Sequence, residues 1–149
     1  DGNNVCNSLL LIAPLLGMDM SVACPKGYEP KEDILKTAKE FAKEHNTKII
    51  VSDDISVALD DVDVVYTDVW VSMGDENEEK QRKMDLAPYQ VNSDLMALAN
   101  DGAIFMHCLP AVRGQEVASE VIDGEQSVVY DEAENRMHAQ KAVLYYYLK

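Results

Sequence analysis

The sequence has little cysteine and no long apolar run. Its three cysteines, at positions 6, 24 and 108, form no CxxC pair and are too few for a disulfide-stapled scaffold. Such usage is typical of a reducing compartment. The longest apolar stretch, residues 9–17, is too short to span a bilayer, and no basic segment precedes it as in a secretory signal. We therefore expect a cytoplasmic protein.

Basic residues are also scarce. Thirteen lysines and arginines stand against 27 acidic residues, which gives a formal net charge of −14. A surface of this sign repels nucleic-acid phosphates and anionic lipids, so we expect neither nucleic acid nor a membrane as a partner. No run of five like charges occurs, which indicates a solvated surface rather than an acidic tail.

What the sequence does contain is an alternation of apolar Val/Ile runs with helical patterns, typical of a parallel α/β sheet. We predict a Rossmann-like, doubly wound parallel sheet with helices on both faces, in one domain over residues 1–149. The predicted strands cover residues 20–23, 48–51, 62–67, 103–106 and 127–130. The predicted helices cover residues 5–16, 31–45, 55–59, 76–86, 93–99, 116–121 and 137–148.

The start of the chain is unusual for this fold class. A doubly wound domain opens with a buried strand that leads into a Gly-containing turn, whereas this chain begins at the turn itself, Asp-Gly-Asn-Asn. We infer that the first strand is missing and that the chain is a segment of a longer protein. Asn3 or Asn4 is expected to cap the helix that follows, and Gly17 is expected to end it.

The first candidate site lies directly after the predicted strand 62–67. Asp68 is placed at the strand tip, with Ser72 and Gly74 in the loop that follows. Ligands of open α/β sheets bind at the carboxyl ends of strands, so a carboxylate and a hydroxyl here would suit a substrate ammonium group. The same two residues also fit simple capping of the next helix.

The second candidate site is His107-Cys108-Leu109-Pro110, after the strand 103–106. A cysteine at a strand end beside a histidine can be a reactive thiolate, but cysteine is also commonly buried as a small apolar residue. His107 lies one residue back, on the other face of a continuing strand, which favours a structural histidine over a base. A thiol hydrolase would also need an orienting Asn or Asp that the sequence does not identify.

The third candidate site, residues 131–136, is predicted to lie between the last strand and the last helix. Asn135 fits a helix cap, and Arg136 fits an anion or carbonyl contact at the ligand edge of the sheet. Alternatively, Arg136 pairs with Glu132 or Glu134.

The order and wording of six short segments add a family resemblance. They are Asp-Gly-Asn-Asn at 1–4, Pro-Lys-Gly-Tyr-Glu-Pro at 25–30, Asp-x-Trp-x-Ser-Met-Gly at 68–74, His-Cys-Leu-Pro-Ala at 107–111, Arg-Gly at 113–114 and Glu-Asn-Arg at 134–136. The series closely resembles the ornithine carbamoyltransferases over essentially the whole chain. Aspartate transcarbamylases differ at both central segments, and putrescine transcarbamylases lack the Ser-Met-Gly form.

The resemblance implies the C-terminal, ornithine-binding domain of an enzyme of arginine biosynthesis. It implies that Asn4 and the backbone at Met73 hold the α-carboxylate of L-ornithine. Asp68 and Ser72 would hold the α-ammonium group. An anion site and a cation site at fixed separation would aim the far amine at the electrophile.

The resemblance gives Cys108 and Arg136 the catalytic roles. Cys108 would face the δ-amino group, carbonyls at Cys108 and Leu109 would orient the carbamoyl group, and Arg136 would reach carbamoyl phosphate. It also implies a cis peptide bond between Leu109 and Pro110. The reaction would be a direct attack that needs no metal and no organic cofactor.

The family's Ser-Thr-Arg-Thr phosphate loop and His-Pro segment do not occur in these 149 residues. The isolated chain is therefore expected to be inactive without the carbamoyl phosphate-binding domain of the same parent chain, and the parent is expected to form a homo-oligomer. The alternatives are a non-catalytic amino-acid- or protein-binding module of the same fold, a putrescine or acetylornithine transcarbamylase, and a thiol hydrolase built on Cys108.

Overall fold

The computed structural model describes residues 1–72, 74 and 76–149, and the chain divides into two compact units. The first unit comprises residues 1–60 and 80–89, and the second comprises residues 61–79 and 90–149. Both units contain helices and a pair of parallel strands, so the chain is α/β as predicted.

The first unit alternates helices and strands along the chain. Its elements are α1 (Asn4–Leu15), β1 (Met20–Ala23), α2 (Glu32–His45), β2 (Ile49–Ser52), α3 (Ile55–Leu59) and most of α4 (Glu79–Leu86), with a 3₁₀ turn at Ala87–Tyr89. Strands β1 and β2 are parallel, in register from Met20 opposite Ile49 to Ala23 opposite Ser52.

Helix α1 is held at both ends as predicted. The side chain of Asn3 accepts a hydrogen bond from the backbone N–H of Cys6 at 2.9 Å, which identifies Asn3 as the cap. Gly17 follows the helix with a φ of 76°, a left-handed conformation that glycine adopts without steric cost. Between these ends, Leu10 is fully buried in the core, whereas Leu16 is 65% exposed.

Helix α2 confirms the predicted apolar stripe. Ala38 and Ala42 are buried, and Ile34, Leu35 and Phe41 are half-buried on the same side. The unit's core joins Leu10, Val22, Cys24 and Ala38. The lysines and glutamates of α2 are exposed, so the 3.6-residue period sets which side of this helix is buried.

The second unit is built around another parallel strand pair. Its elements are β3 (Val64–Thr67), a 3₁₀ turn at Glu76–Glu78, α5 (Ser93–Met96), β4 (Ile104–His107), α6 (Ser119–Ile122) and α7 (Val129–Tyr147). The register runs from Val64 opposite Ile104 to Thr67 opposite His107. The residues that follow Thr67 and His107 therefore emerge side by side at the carboxyl edge of this pair.

The prediction of a strand at 127–130 is wrong. Extended pairing is limited to a bridge between Ser127 and Phe105, with Val128 N–H donating to the Phe105 carbonyl at 3.0 Å. Helix α7 then begins at Val129 instead of at the predicted residue 137. Asp131 and Glu132 lie in its first turn, where negative charge stabilises the helix dipole, and strong helix formers follow.

The C-terminal part of α7 and the residue that follows it carry exposed apolar side chains. The exposed side chains there include Val143, Leu144, Tyr145, Tyr146, Tyr147 and Leu148, which are 56–79% exposed. Despite this surface, no helix among the described residues combines the length and apolar content needed to cross a bilayer.

Candidate functional site

The first two candidate sites meet at the carboxyl edge of β3 and β4. Asp68 follows β3 and Cys108 follows β4, and the strand register sets them side by side. The Cys108 thiol donates a hydrogen bond to Asp68 Oδ1 at 3.0 Å. The backbone N–H of Val69 donates to the same oxygen at 2.7 Å, which fixes the carboxylate at the strand tip.

The electrostatics keep Cys108 protonated. Burial, followed by the hydrogen bond and charge of Asp68, raises the pKa of Cys108 to about 12. A nucleophilic cysteine requires the opposite, an environment that stabilises the thiolate. The geometry therefore gives no support to a thiol hydrolase and makes Cys108 a neutral hydrogen-bond donor.

Two residues that the sequence does not predict as site residues, Tyr66 and Glu132, adjoin this pair, although Glu132 is among the possible partners predicted for Arg136. The Tyr66 hydroxyl donates to Glu132 Oε1 at 2.8 Å, and Glu132 Oε2 accepts from the backbone N–H of His107 at 3.0 Å. Burial and then the bond to Glu132 raise the pKa of Tyr66 above its ordinary range. Because Glu132 lies in the first turn of α7, it joins that helix to both strands.

His107 is a structural histidine, as its position predicted. It is fully buried, with Nε2 3.2 Å from Oε1 of the equally buried Glu116 and with Nδ1 accepting from the backbone N–H of Leu109 at 2.9 Å. Glu116 is a third missed residue, predicted as the start of a helix at 116–121. It instead precedes α6, and its neighbours Val117 and Ala118 are buried too. The sequence signal that could have indicated a buried glutamate is its position directly before the apolar residues Val117 and Ala118.

A metal-like arrangement occurs at the same place. Three potential ligand atoms lie within 4.8 Å of one another, one each from Asp68, His107 and Cys108. However, both ring nitrogens of His107 and the Cys108 thiol take part in the hydrogen bonds above. Cys108 and Asp68 are hydrogen-bonded to each other, and the His107 ring is hydrogen-bonded to Glu116 and to the backbone N–H of Leu109.

The remaining loop residues of the predicted site lie in the same unit. Ser72 is half-buried, four residues after Asp68, whereas Met73 falls outside the described residues. Leu109 is half-buried and has a φ of 55°, a left-handed conformation that is uncommon outside glycine. The peptide bond between Leu109 and Pro110 is cis, as the resemblance implied.

Arg136 lies inside α7, so the predicted loop at 131–136 and the helix cap at Asn135 are both wrong. Residues 131–136 are helical because acidic residues in the first turn and strong helix formers after them favour a helix. Arg136 is exposed and sits four residues after Glu132, on the same helix face. The alternative partners are engaged elsewhere, Glu132 with Tyr66 and Glu134 with His138.

Asn4 belongs to the first unit. It is the first residue of α1, its side chain is exposed, and its carbonyl accepts from the Ser8 hydroxyl at 2.9 Å. Capping is therefore carried out by Asn3, which leaves the Asn4 side chain outside the capping hydrogen bond.

The family model described as the aspartate/ornithine carbamoyltransferase, Asp/Orn binding domain, matches residues 1–147. The chain belongs to this family. An ornithine carbamoyltransferase from Methanobrevibacter smithii is 77% identical over the whole chain, which covers 50% of that relative. The chain thus spans about half the length of the curated relatives it matches.

Solved structures of ornithine carbamoyltransferases are also similar to this chain. The anabolic ornithine carbamoyltransferase from Campylobacter jejuni matches 98% of the chain and 48% of its own length, with 41% identity and a TM-score of 0.93. The ornithine carbamoyltransferase from Pyrococcus furiosus matches 97% of the chain and 46% of its own length, with 51% identity and a TM-score of 0.91. These domains have the Rossmann-like fold, which confirms the predicted fold class.

Proposed function

We propose that the chain is the ornithine-binding domain, residues 1–149, of an ornithine carbamoyltransferase. With the carbamoyl phosphate-binding part of its parent, it transfers a carbamoyl group to the δ-amino group of L-ornithine, which yields L-citrulline and phosphate. The observation that carries this proposal is the Asp68–Cys108 pair at the carboxyl edge of β3 and β4. The relatives named ornithine carbamoyltransferase support the choice of substrate.

Asp68 is suited to the α-ammonium group of ornithine. Its carboxylate is oriented by the Val69 N–H, so a substrate cation meets a charge that is already aimed. Ser72 would add a hydroxyl to this contact. Asn4 and the backbone at Met73 would hold the α-carboxylate.

Cys108 is suited to the δ-amino group because its thiol is neutral. An amine attacks only when it is unprotonated, and a partly buried thiol with a pKa of about 12 adds no negative charge to stabilise the ammonium form. The δ-nitrogen would form the new bond to the carbamoyl carbon, the C–O bond to phosphate would break, and the amine would lose a proton. The carbonyls of Cys108 and Leu109 would orient the carbamoyl group.

Arg136 would contact carbamoyl phosphate. Its guanidinium shares a helix face with Glu132, which touches both strands of the site, and its exposure leaves it accessible to a phosphate. The parent would form a homo-oligomer. The three free thiols, Cys6, Cys24 and Cys108, are compatible with work in the reducing cytoplasm.

The decisive experiment substitutes Asp68→Asn in the full-length parent. The change keeps the shape and removes the charge, and a charge-assisted hydrogen bond contributes about 1.5–3 kcal/mol. We expect kcat/KM for ornithine to fall at least about tenfold, while the affinity for carbamoyl phosphate alone, measured by calorimetry, stays the same. Normal ornithine kinetics in the variant would make Asp68 a structural cap and overturn the site assignment.

Two controls make the result specific. Asp101→Asn removes an equally charged, exposed carboxylate from the same unit and should leave the kinetics unchanged. Assays of the wild-type parent with N-acetylornithine and putrescine test the amine that is recognised, since neither carries a free α-ammonium beside a carboxylate. Ornithine binding without citrulline formation would favour the non-catalytic binding module instead.

A further inference from the structure

We propose that Glu116 is a positioning residue for carbamoyl transfer, acting through His107 on the Cys108–Leu109 peptide. The inference rests on the proposed function and extends it to a residue that does not itself contact substrate. It starts from an uncommon feature, a glutamate and a histidine that are both fully buried and bonded to each other.

Glu116 ties together two parts of the loop that follows β4. Its Oε1 lies 3.2 Å from His107 Nε2 and accepts from the backbone N–H of Val112 at 2.6 Å. One carboxylate oxygen thereby connects the end of the strand to a point beyond Pro110. Because neither side chain reaches solvent, water does not compete for these bonds.

The same contact fixes the tautomer of His107. Leu109 N–H donates to Nδ1 at 2.9 Å, so Nδ1 must be unprotonated and the ring proton must lie on Nε2. The acceptor facing that proton is Glu116. Without the Glu116 carboxylate, the ring proton of His107 is no longer held on Nε2. In the other tautomer, the Nδ1–H of His107 would point at the backbone N–H of Leu109, and the two donors would repel each other.

The peptide held in this way is the one that the proposed reaction uses. Leu109 has a φ of 55°, which a leucine adopts only where surrounding contacts hold it. Its neighbour Cys108 points its thiol at Asp68. The path from Glu116 through His107 to Leu109 thus governs the direction of two carbonyls and one thiol, and small misorientation of such groups lowers the rate of the chemical step.

The test uses four variants of the full-length parent. Glu116→Met keeps the length of the side chain but has no carboxylate oxygen, and Glu116→Gln keeps one amide oxygen. His107→Asn sets an oxygen near the position of Nδ1, whereas His107→Gln sets its amide near Nε2. The control is Glu120→Met, at an exposed glutamate of α6.

For a positioning role, kcat falls at least about tenfold in Glu116→Met, with KM for ornithine within about twofold, because orientation acts mainly on the chemical step. Glu116→Gln recovers most of the loss, and His107→Asn retains more activity than His107→Gln. Equal kcat in the two histidine variants, or failure of both to fold, overturns the proposal, since either outcome indicates packing alone. If Glu116→Met does not fold, the comparison of kcat between His107→Asn and His107→Gln tests the positioning role instead.

A second readout does not depend on activity. Alkylation of Cys108 at pH 8, followed by peptide mass spectrometry, should be at least about threefold faster in Glu116→Met than in wild type, because the thiol is held less firmly on Asp68. Glu120→Met should match wild type. If the wild-type parent makes no citrulline, the proposed function fails while this comparison still tests the path. Unchanged Cys108 reactivity in folded Glu116→Met overturns the positioning role.

Discussion

Cys108 owes its chemistry to two neighbours in space. Its thiol is partly buried and donates to Asp68, and the two effects together raise its pKa to about 12. From the sequence alone, the same cysteine is compatible with a reactive thiolate and with a buried structural residue. At the scale of the residue, burial of the sulfur and, after it, the Asp68 carboxylate beside it keep Cys108 a neutral donor instead of a thiolate.

The first prediction tests the Asp68 contribution directly. Asp68→Asn removes the negative charge beside Cys108, so the pKa of the thiol should fall by at least about one unit. Because burial is the larger cause, it should remain above the ordinary value of 9.0. The pH dependence of Cys108 alkylation measures the shift, with Asp101→Asn as control, and an unchanged midpoint would show that burial alone sets the pKa.

The second prediction concerns stability at alkaline pH. The native state keeps the Cys108 proton up to a pKa of about 12, whereas the unfolded thiol loses it near 9.0, so the unfolded state binds fewer protons between these values. The stabilising contribution is therefore complete below pH 9 and is lost as the pH rises toward 12. Cys108→Ser keeps a hydroxyl donor without this titration, so its free energy of unfolding in urea should decline less steeply above pH 9. Identical slopes would contradict the raised pKa.

At the scale of the element, α1 is anchored by one side of its apolar surface. Leu10 is fully buried against Val22, Cys24 and Ala38, while Leu16, beyond the helix end, is 65% exposed. The two leucines are chemically identical and differ only in what surrounds them. They therefore form a matched pair.

The third prediction uses this pair. Leu10→Ala should lower the free energy of unfolding by about 2–5 kcal/mol, because it removes buried methyl groups and leaves a cavity. Leu16→Ala should change it by less than about 0.5 kcal/mol. Urea denaturation of both variants measures the difference. Similar effects in the two would mean that the packing of α1 is not the one described.

At the scale of the whole molecule, the chain spans about half of the relatives it matches. The ornithine contacts are proposed on this half, and the phosphate contacts are expected largely on the other. The Tyr and Leu side chains near the end of α7 are exposed in this half.

The fourth prediction follows from this division. The isolated 149-residue chain should form no citrulline from ornithine and carbamoyl phosphate, whereas the full-length parent should form it. A colorimetric citrulline assay on a sample verified by mass spectrometry measures this. Turnover by the isolated chain well above background would refute the proposed placement of the phosphate site outside these 149 residues.

Sequence alone determined the features that neighbouring residues encode. The apolar stripe of α2, the parallel strands β1 to β4, the cap at one of two adjacent asparagines and the placement of Asp68 and Cys108 at strand ends all follow from local periodicity and end signals. The prediction of a loop at 131–136 is wrong, although it uses the same kind of local signal. The predicted strand at 127–130 does not form, and the helix formers and first-turn acids of residues 131–136 belong to α7.

Only the tertiary structure decided which charged and polar groups meet. Tyr66 and Glu132 are 66 positions apart, and Asp68 and Cys108 are 40 positions apart, yet each pair shares a hydrogen bond. Periodicity reports which side of an element is buried, but not which distant side chain is buried beside it. The burial of Glu116 against His107, and the protonation of Cys108 beside Asp68, depend on the parallel register of β3 and β4 and the path of the loop after them.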